Sequence, residues 1–163
     1  MQIRALTEAD LPAFAEHFDE GNPAQLTRAL RLRAEDTGLM LAAWLDDKPV
    51  GRVLVHWRPV PETPAEWHTG FAFLEELIVL EAHRSQGIGT AIMQEAERLA
   101  RERGFTTMAV GVGFDNDRAR ALYDRLGYMD AGLGLFEDRG TFLNSRGEQI
   151  DWHETWLFLT RAL

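Results

Sequence analysis

An α/β fold built on one mixed, mostly antiparallel sheet with helices on both faces is what this sequence predicts. Three observations carry the prediction. Apolar residues recur at helical spacing in four segments and form short strand-like runs between them. Runs joined by short connections near both ends of the chain predict antiparallel hairpins. A strand–helix–strand unit in the middle requires a parallel pair with a right-handed crossover. The expected order is β-α-α-β-β-β-α-β-α-β-β.

Residues 3–6 are an apolar strand. Thr7 with Asp10 three positions on marks a helix start, and Leu11, Phe14, Ala15 and Phe18 follow at helical spacing. Gly21-Asn22-Pro23 ends that helix. A second runs over 23–36, with Leu26, Leu30 and Arg33 on one face, and Gly38 stops it. Strands 39–45 and 50–57 flank Asp46-Asp47-Lys48-Pro49, a hairpin turn. Residues 58–70 carry three prolines and no period, so they form a loop. A strand spans 71–80, apolar except at Glu75 and Glu76. Glycines 87 and 89 lead into a long helix over 90–103, and Gly104 ends it. Strand 106–112 and helix 116–126 follow, the latter ending at Gly127. Residues 128–163 are strands around a turn-rich hairpin.

The 163 residues suit a single domain over 1–163. With 45% apolar and 26% charged residues, a core forms and disorder is excluded as the main state. The absence of cysteine removes disulfides, thiolate metal ligands and a thiol nucleophile. The net charge of -9 argues against nucleic-acid binding, which needs a basic footprint. Apolar runs are too short for a membrane span, and no secretory signal opens the chain. The expected location is cytoplasmic.

Chemistry concentrates in Leu74-Glu75-Glu76-Leu77-Ile78-Val79-Leu80-Glu81-Ala82-His83-Arg84-Ser85-Gln86-Gly87-Ile88-Gly89-Thr90-Ala91. A strand ends, a basic glycine-bearing loop follows, and a helix begins. Free N–H groups at a helix start favour an anion. Gly87 and Gly89 permit close backbone approach, and Arg84 adds positive charge. A P-loop is excluded because the one lysine is Lys48. A dinucleotide fingerprint fails at Ile92, where a third small residue is needed, and lacks its acid about 20 residues on.

Arg84-x-x-Gly87-x-Gly89 resembles the acyl-coenzyme A pyrophosphate loop of the GCN5-related N-acetyltransferase (GNAT) superfamily. A second element, Asn116-Asp117-Arg118-Ala119-Arg120-Ala121-Leu122-Tyr123-Asp124-Arg125-Leu126-Gly127-Tyr128, resembles that family's Asn-x-x-Ala-x-x-Leu-Tyr-x-x-x-Gly-Phe/Tyr helix. The resemblance covers about residues 3–128. It implies that strands 71–80 and 106–112 splay into a V. The pantetheine arm would pair with backbone near Leu77, Ile78 and Val79. The pyrophosphate would sit on Arg84, Ser85, Gln86, Gly87, Ile88, Gly89 and Thr90. Asn116 and Ala119 would face the cofactor, and Tyr123 would point at its sulfur.

The implied reaction is acetyl transfer from acetyl-CoA to a primary amine by direct attack in a ternary complex. An alkylammonium (pKa about 10.4) must lose a proton. A strand carboxylate with a raised pKa could take it, and Glu75 or Glu76 is the candidate; strand alternation places them on opposite faces. Tyr123 would protonate the departing thiolate. Each residue also has a plain reading: Tyr123 as a core aromatic, Asn116 as a helix cap, the acids as a solvated face or ion pairs. No histidine pair has metal spacing, so no metal is expected. His68, Trp67, Phe71 and Phe73 are either acceptor-pocket or core residues, and Trp152 and Trp156 share a strand face at a core or a subunit interface. The expected partner is a small-molecule or peptide amine; a homodimer is compatible with the resemblance. The alternative is a non-catalytic acyl-CoA-binding or sensing domain of the same fold. Acceptor-binding loops would be the first two helices, 58–70 and 137–151.

Overall fold

The computed structural model describes residues 1–18, 23–59, 63–144 and 146–163. Strand β1 (Gln2–Ala5) pairs antiparallel with β2 (Gly38–Leu45). Between them lie α1 (Leu11–His17) and α2 (Pro23–Ala34). The Thr7–Asp10 start is present, with a 3₁₀ turn, Glu8–Asp10, ahead of α1. Asp10 accepts from the Thr7 backbone at 2.8 Å and its hydroxyl at 2.7 Å, and Arg4 closes a fork on both carboxylate oxygens at 2.6 and 2.7 Å. The break at Gly21 and Asn22, and Val60-Pro61-Glu62 of the proline-rich loop, lie outside the described residues.

Leu45 pairs with Lys48, so the first hairpin turns on Asp46 and Asp47 alone, at φ 48° and 62°. Lys48 and Pro49, expected in the turn, begin β3 (Lys48–His56). Then come β4 (Phe71–Val79), α3 (Ile88–Glu102), β5 (Thr107–Gly113), α4 (Asp117–Arg125), and three late strands, β6 (Met129–Asp130), β7 (Phe136–Leu143) and β8 (Gln149–Ala162). The sheet order is β1-β2-β3-β4-β5-β8-β6, with β7 paired to β8. Among the described residues β4 and β5 are the one parallel pair, joined by α3 as the sequence predicts.

Two cores follow from the alternation of β2 and β3. Leu41, Ala43, Val53 and Val55 face α3, packing with Ile92, Met93 and Ala96. Met40, Ala42, Trp44 and Leu54 face Phe14 and Ala29 of α1 and α2. A third cluster joins Trp67, Phe73, Ala109 and Phe158. Trp67 stacks on Phe71 with centroids 4.8 Å apart, which makes these aromatics packing residues first. Trp156 stacks on Phe136 at 4.9 Å, whereas Trp152 covers Gly140 and is 38% exposed. No helix among the described residues is long and apolar enough to cross a membrane.

Strand β4 departs from regularity at one residue. Leu54 pairs with Glu75 and Arg52 with Ile78, so two steps on β3 oppose three on β4. The extra residue is Glu76, at φ 56°. This bulge overturns the expectation that the two acids point to opposite faces. Glu75 lies on the α1/α2 face beside Phe73, and Glu76, out of ladder, reaches the same side, while Leu77 and Val79 return to the α3 core. Parallel pairing with β5 runs only from Phe71↔Thr107 to Leu74↔Val110. Beyond it both strands continue unpaired with each other, and the sheet opens into the expected V.

Candidate active site

A cavity of about 900 Å³ lies between the open end of β4, the loop after it, and α3 and α4. Its floor is Leu77, Ile78 and Val79, of which Ile78 and Val79 pair with β3 on one side only. Its wall includes Arg84, Ser85, Gly87, Ile88, Gly89 and Thr90, and the far side carries Asn116 and Ala119. Eleven of the expected cofactor-contacting residues are thereby brought together. Gln86 is not on the wall; its amide donates to the Ala82 carbonyl at 3.2 Å. Tyr123 is not on the wall either.

The start of α3 forms because Gly87 adopts φ 81°, open to glycine at little cost. The first helical bond runs from Ala91 to the Gly87 carbonyl at 3.0 Å, leaving the N–H groups of Ile88, Gly89 and Thr90 without intrahelical partners. A Cβ at Gly87 would meet nothing within 4 Å, so backbone conformation rather than space selects glycine there. At Gly89 a Cβ would stand 3.3 Å from Leu122 and 3.8 Å from Val79, on the cavity wall. The loop is braced by two arginines: its own Arg84 donates to the Val79 carbonyl at 2.9 Å, and Arg118 of α4 to the Ser85 hydroxyl at 3.1 Å.

Sequence reasoning missed His83, Arg118, Ala121, Leu122 and Arg125 of the wall. The signal was available: positions 118, 122 and 125 form an i, i+4, i+7 stripe on α4. Asn116 caps a helix and lines the cavity: its Oδ1 accepts from the Ala119 N–H of α4 at 3.0 Å.

Tyr123 is buried, with its ring 5.7 Å from that of Tyr128. Burial pushes its phenol up to about 12. No hydrogen bond holds its hydroxyl among the described residues. Tyr128 is different: its hydroxyl donates to buried Glu97 at 2.9 Å, and Arg161 closes on the same carboxylate at 2.8 Å.

Glu75 and Glu76 are ion-paired. Glu75 Oε2 meets His56 Nε2 at 3.0 Å and Arg28 at 3.1 Å. Glu76 meets Arg52 at 2.8 Å and accepts from the Gln25 amide. Burial raises the Glu75 pKa, but His56 and then Arg28 outweigh it, and the carboxylate is held below the usual range. The raised pKa expected from an apolar strand is therefore corrected: burial acts, and the His56 and Arg28 partners outweigh it. Among the described residues no group of three or more His, Asp or Glu could hold a metal ion.

The family model described as Acetyltransferase (GNAT) family matches residues 3–128. An aminoglycoside N(6')-acetyltransferase type 1 from Acinetobacter haemolyticus is 27% identical over 134 residues, covering 80% of this chain and 92% of that protein. The fold is shared with the solved ribosomal-protein-alanine N-acetyltransferase from Brucella melitensis, with TM-score 0.73, 23% identity and all of both chains covered. It is shared equally with a putative acetyltransferase from Salmonella typhimurium solved with its cofactor acetyl-CoA, with TM-score 0.70, 16% identity, and 100% of this chain and 94% of that one covered. The chain belongs to the GNAT acetyltransferase family and is an acyl-CoA-dependent N-acetyltransferase.

Proposed function

We propose that the protein transfers an acetyl group from acetyl-CoA to a primary amine by direct attack in a ternary complex. The observation that carries this reading is the cavity of about 900 Å³ with free α3 amides at one end and an unpaired strand edge at the other. These residues fit coenzyme A. The N–H groups of Ile88, Gly89 and Thr90, with Arg84 and Arg118, suit its phosphates. The one-sided edge of Leu77 to Val79 suits the amides of its pantetheine arm. Acetyl-CoA supplies the thioester; the amine nitrogen gains the acetyl group, and the proton it loses balances the thiol released.

Glu75 is ionised at neutral pH, and both of its side-chain partners, Arg28 and His56, sit on Oε2. It holds an ammonium next to the V and accepts its proton directly or through water. Tyr123, with its pKa pushed up to about 12, stays protonated and donates a hydrogen bond towards the departing sulfur. A thiol near 8.5 is the stronger acid, so the phenol stabilises the thiolate rather than surrendering its proton for good.

An aminoglycoside is one acceptor to test, because the Acinetobacter relative is an aminoglycoside acetyltransferase. The experiment is thiol release from acetyl-CoA with kanamycin, spermidine, alanine amide and N-terminal peptides. Amine-dependent release with the acetylated amine recovered by mass spectrometry is expected. Binding of coenzyme A with no release across the panel would return the non-catalytic reading.

A further inference from the structure

We infer that Arg28 occupies the seat of the acceptor's cation, so that α2 carries a built-in competitor for Glu75. The inference rests on the amine-acceptor reading above. Around the bulge two carboxylates, Glu75 and Glu76, face two guanidiniums, Arg28 and Arg52, with His56 beside them. The cluster is therefore balanced before any substrate arrives. An ammonium approaching Glu75 adds one positive charge, and a partner must give way.

The partners differ in freedom. The side chains of Arg52 and His56 are each 7% exposed. Arg52 is further tied by its place over the Phe18 ring, 5.9 Å from the centroid. Arg28 is 37% exposed, and it reaches Glu75 from a different element. A second cavity, of about 440 Å³, is lined by Gln25, Arg28 and Arg31 of α2, and gives the guanidinium room to leave. Arg28 is thus the partner that yields.

A separate observation points to an incoming donor at the same place. Gln25 sits one helical turn before Arg28, and its amide donates to Glu76. Its Oε1 is buried and accepts nothing from the described residues. An acceptor with a second N–H-bearing cation would fill that vacancy while its first ammonium replaces Arg28 on Glu75. The ligand chemistry is an amine bearing at least two cationic nitrogens.

The test compares wild type, Arg28→Gln and Arg28→Lys. Thiol-release kinetics with spermidine and kanamycin are read beside calorimetry of spermidine on the coenzyme A-loaded protein. Arg28→Gln should lower KM and Kd for both amines by about fivefold, the factor carried by a part-exposed ion pair. Coenzyme A affinity should stay as in wild type, and Arg28→Lys should move KM back up. An unchanged KM overturns the proposal; a raised KM overturns it too, because Arg28 would then be a contact for the acceptor. If no amine is acetylated by wild type, the transfer reading fails, and calorimetry still decides here. Tighter spermidine binding by Arg28→Gln upholds the seat; equal binding, or none to either protein, refutes it.

Discussion

Gly89 is where the cavity can be closed without touching a chemical group. Its Cβ would lie 3.3 Å from Leu122, tight enough to require a shift of a few tenths of an ångström but against a flexible side-chain end. Gly89→Ala is therefore foldable, and replacing a helical glycine by alanine returns up to about 1 kcal/mol of helix stability. Gly89→Val adds two methyls to that Cβ, and with Leu122 and Val79 already behind it at least one must enter the cavity. Three N–H groups lie open at this helix start. If the methyl holds a phosphate off all three, at ~1.5 kcal/mol for each charge-assisted bond, the loss is ~4.5 kcal/mol, or about 2000-fold in Kd. Partial retreat of the ligand reduces this, so calorimetry should show about tenfold weaker coenzyme A binding for alanine and more than about 100-fold for valine. Thermal melting should show alanine as stable as wild type or more so. Wild-type affinity in Gly89→Val would refute the placement of the phosphates. Gly87→Ala is the control: its Cβ meets nothing, so it should cost about 1–2 kcal/mol of stability through its positive φ and leave affinity within a few-fold.

Tyr123→Phe should lower turnover at saturation by about 100-fold with coenzyme A affinity and melting temperature unchanged, since its hydroxyl has no hydrogen-bond partner among the described residues; full turnover makes it a packing residue only. Glu75→Gln should slow turnover per KM by about 100-fold at neutral pH. Because its pKa is held below the usual carboxylate range by His56 and Arg28 against burial, it is ionised throughout the near-neutral range, so an acid limb there that vanishes in this variant would show the assignment of its charge state to be wrong. Asp10→Asn removes the acceptor of the Arg4 fork and should destabilise the fold by about 2 kcal/mol at pH 7. The Asp10 pKa is held down by Arg4 hydrogen bonds, against the cost of burial. Its stabilisation is full above the unfolded value of about 3.9 and is lost as pH falls through the lower folded one, so urea melts of wild type and variant should converge only in strong acid.

What was legible in the sequence was local. Arg84, Gly87 and Gly89 sit within six residues, and Asn116 to Tyr128 within α4 and its two ends, so the family resemblance those short motifs carry named eleven residues that line one cavity. The parallel pair and its crossover helix followed from element order. The charge environment of Glu75 was not legible, because His56 and Arg28 reach it from 19 and 47 positions away and no period links them. Alternation also misplaced Glu76: a count of two per repeat cannot reveal one residue too many. Tyr123 was named from its motif, yet its burial depends on how α4 packs against Tyr128.

That surplus residue has a consequence for how the opening persists. Alternation resumes after it, with Leu77 and Val79 facing the α3 core as they would if Glu76 were absent. Removing one residue would thus leave every apolar side chain correctly aimed and let β3 and β4 zip without a gap. Nothing in the packing demands the interruption. A bulge sharpens the local twist, and this one, at Glu76, lies two residues past Leu74, the last partner of β5. The seam between β4 and β5 is therefore left open by a miscount along the chain, not by a wedge driven into it. An opening made that way survives repacking of its neighbours, because it is written into the length of the strand and not into the shape of any side chain.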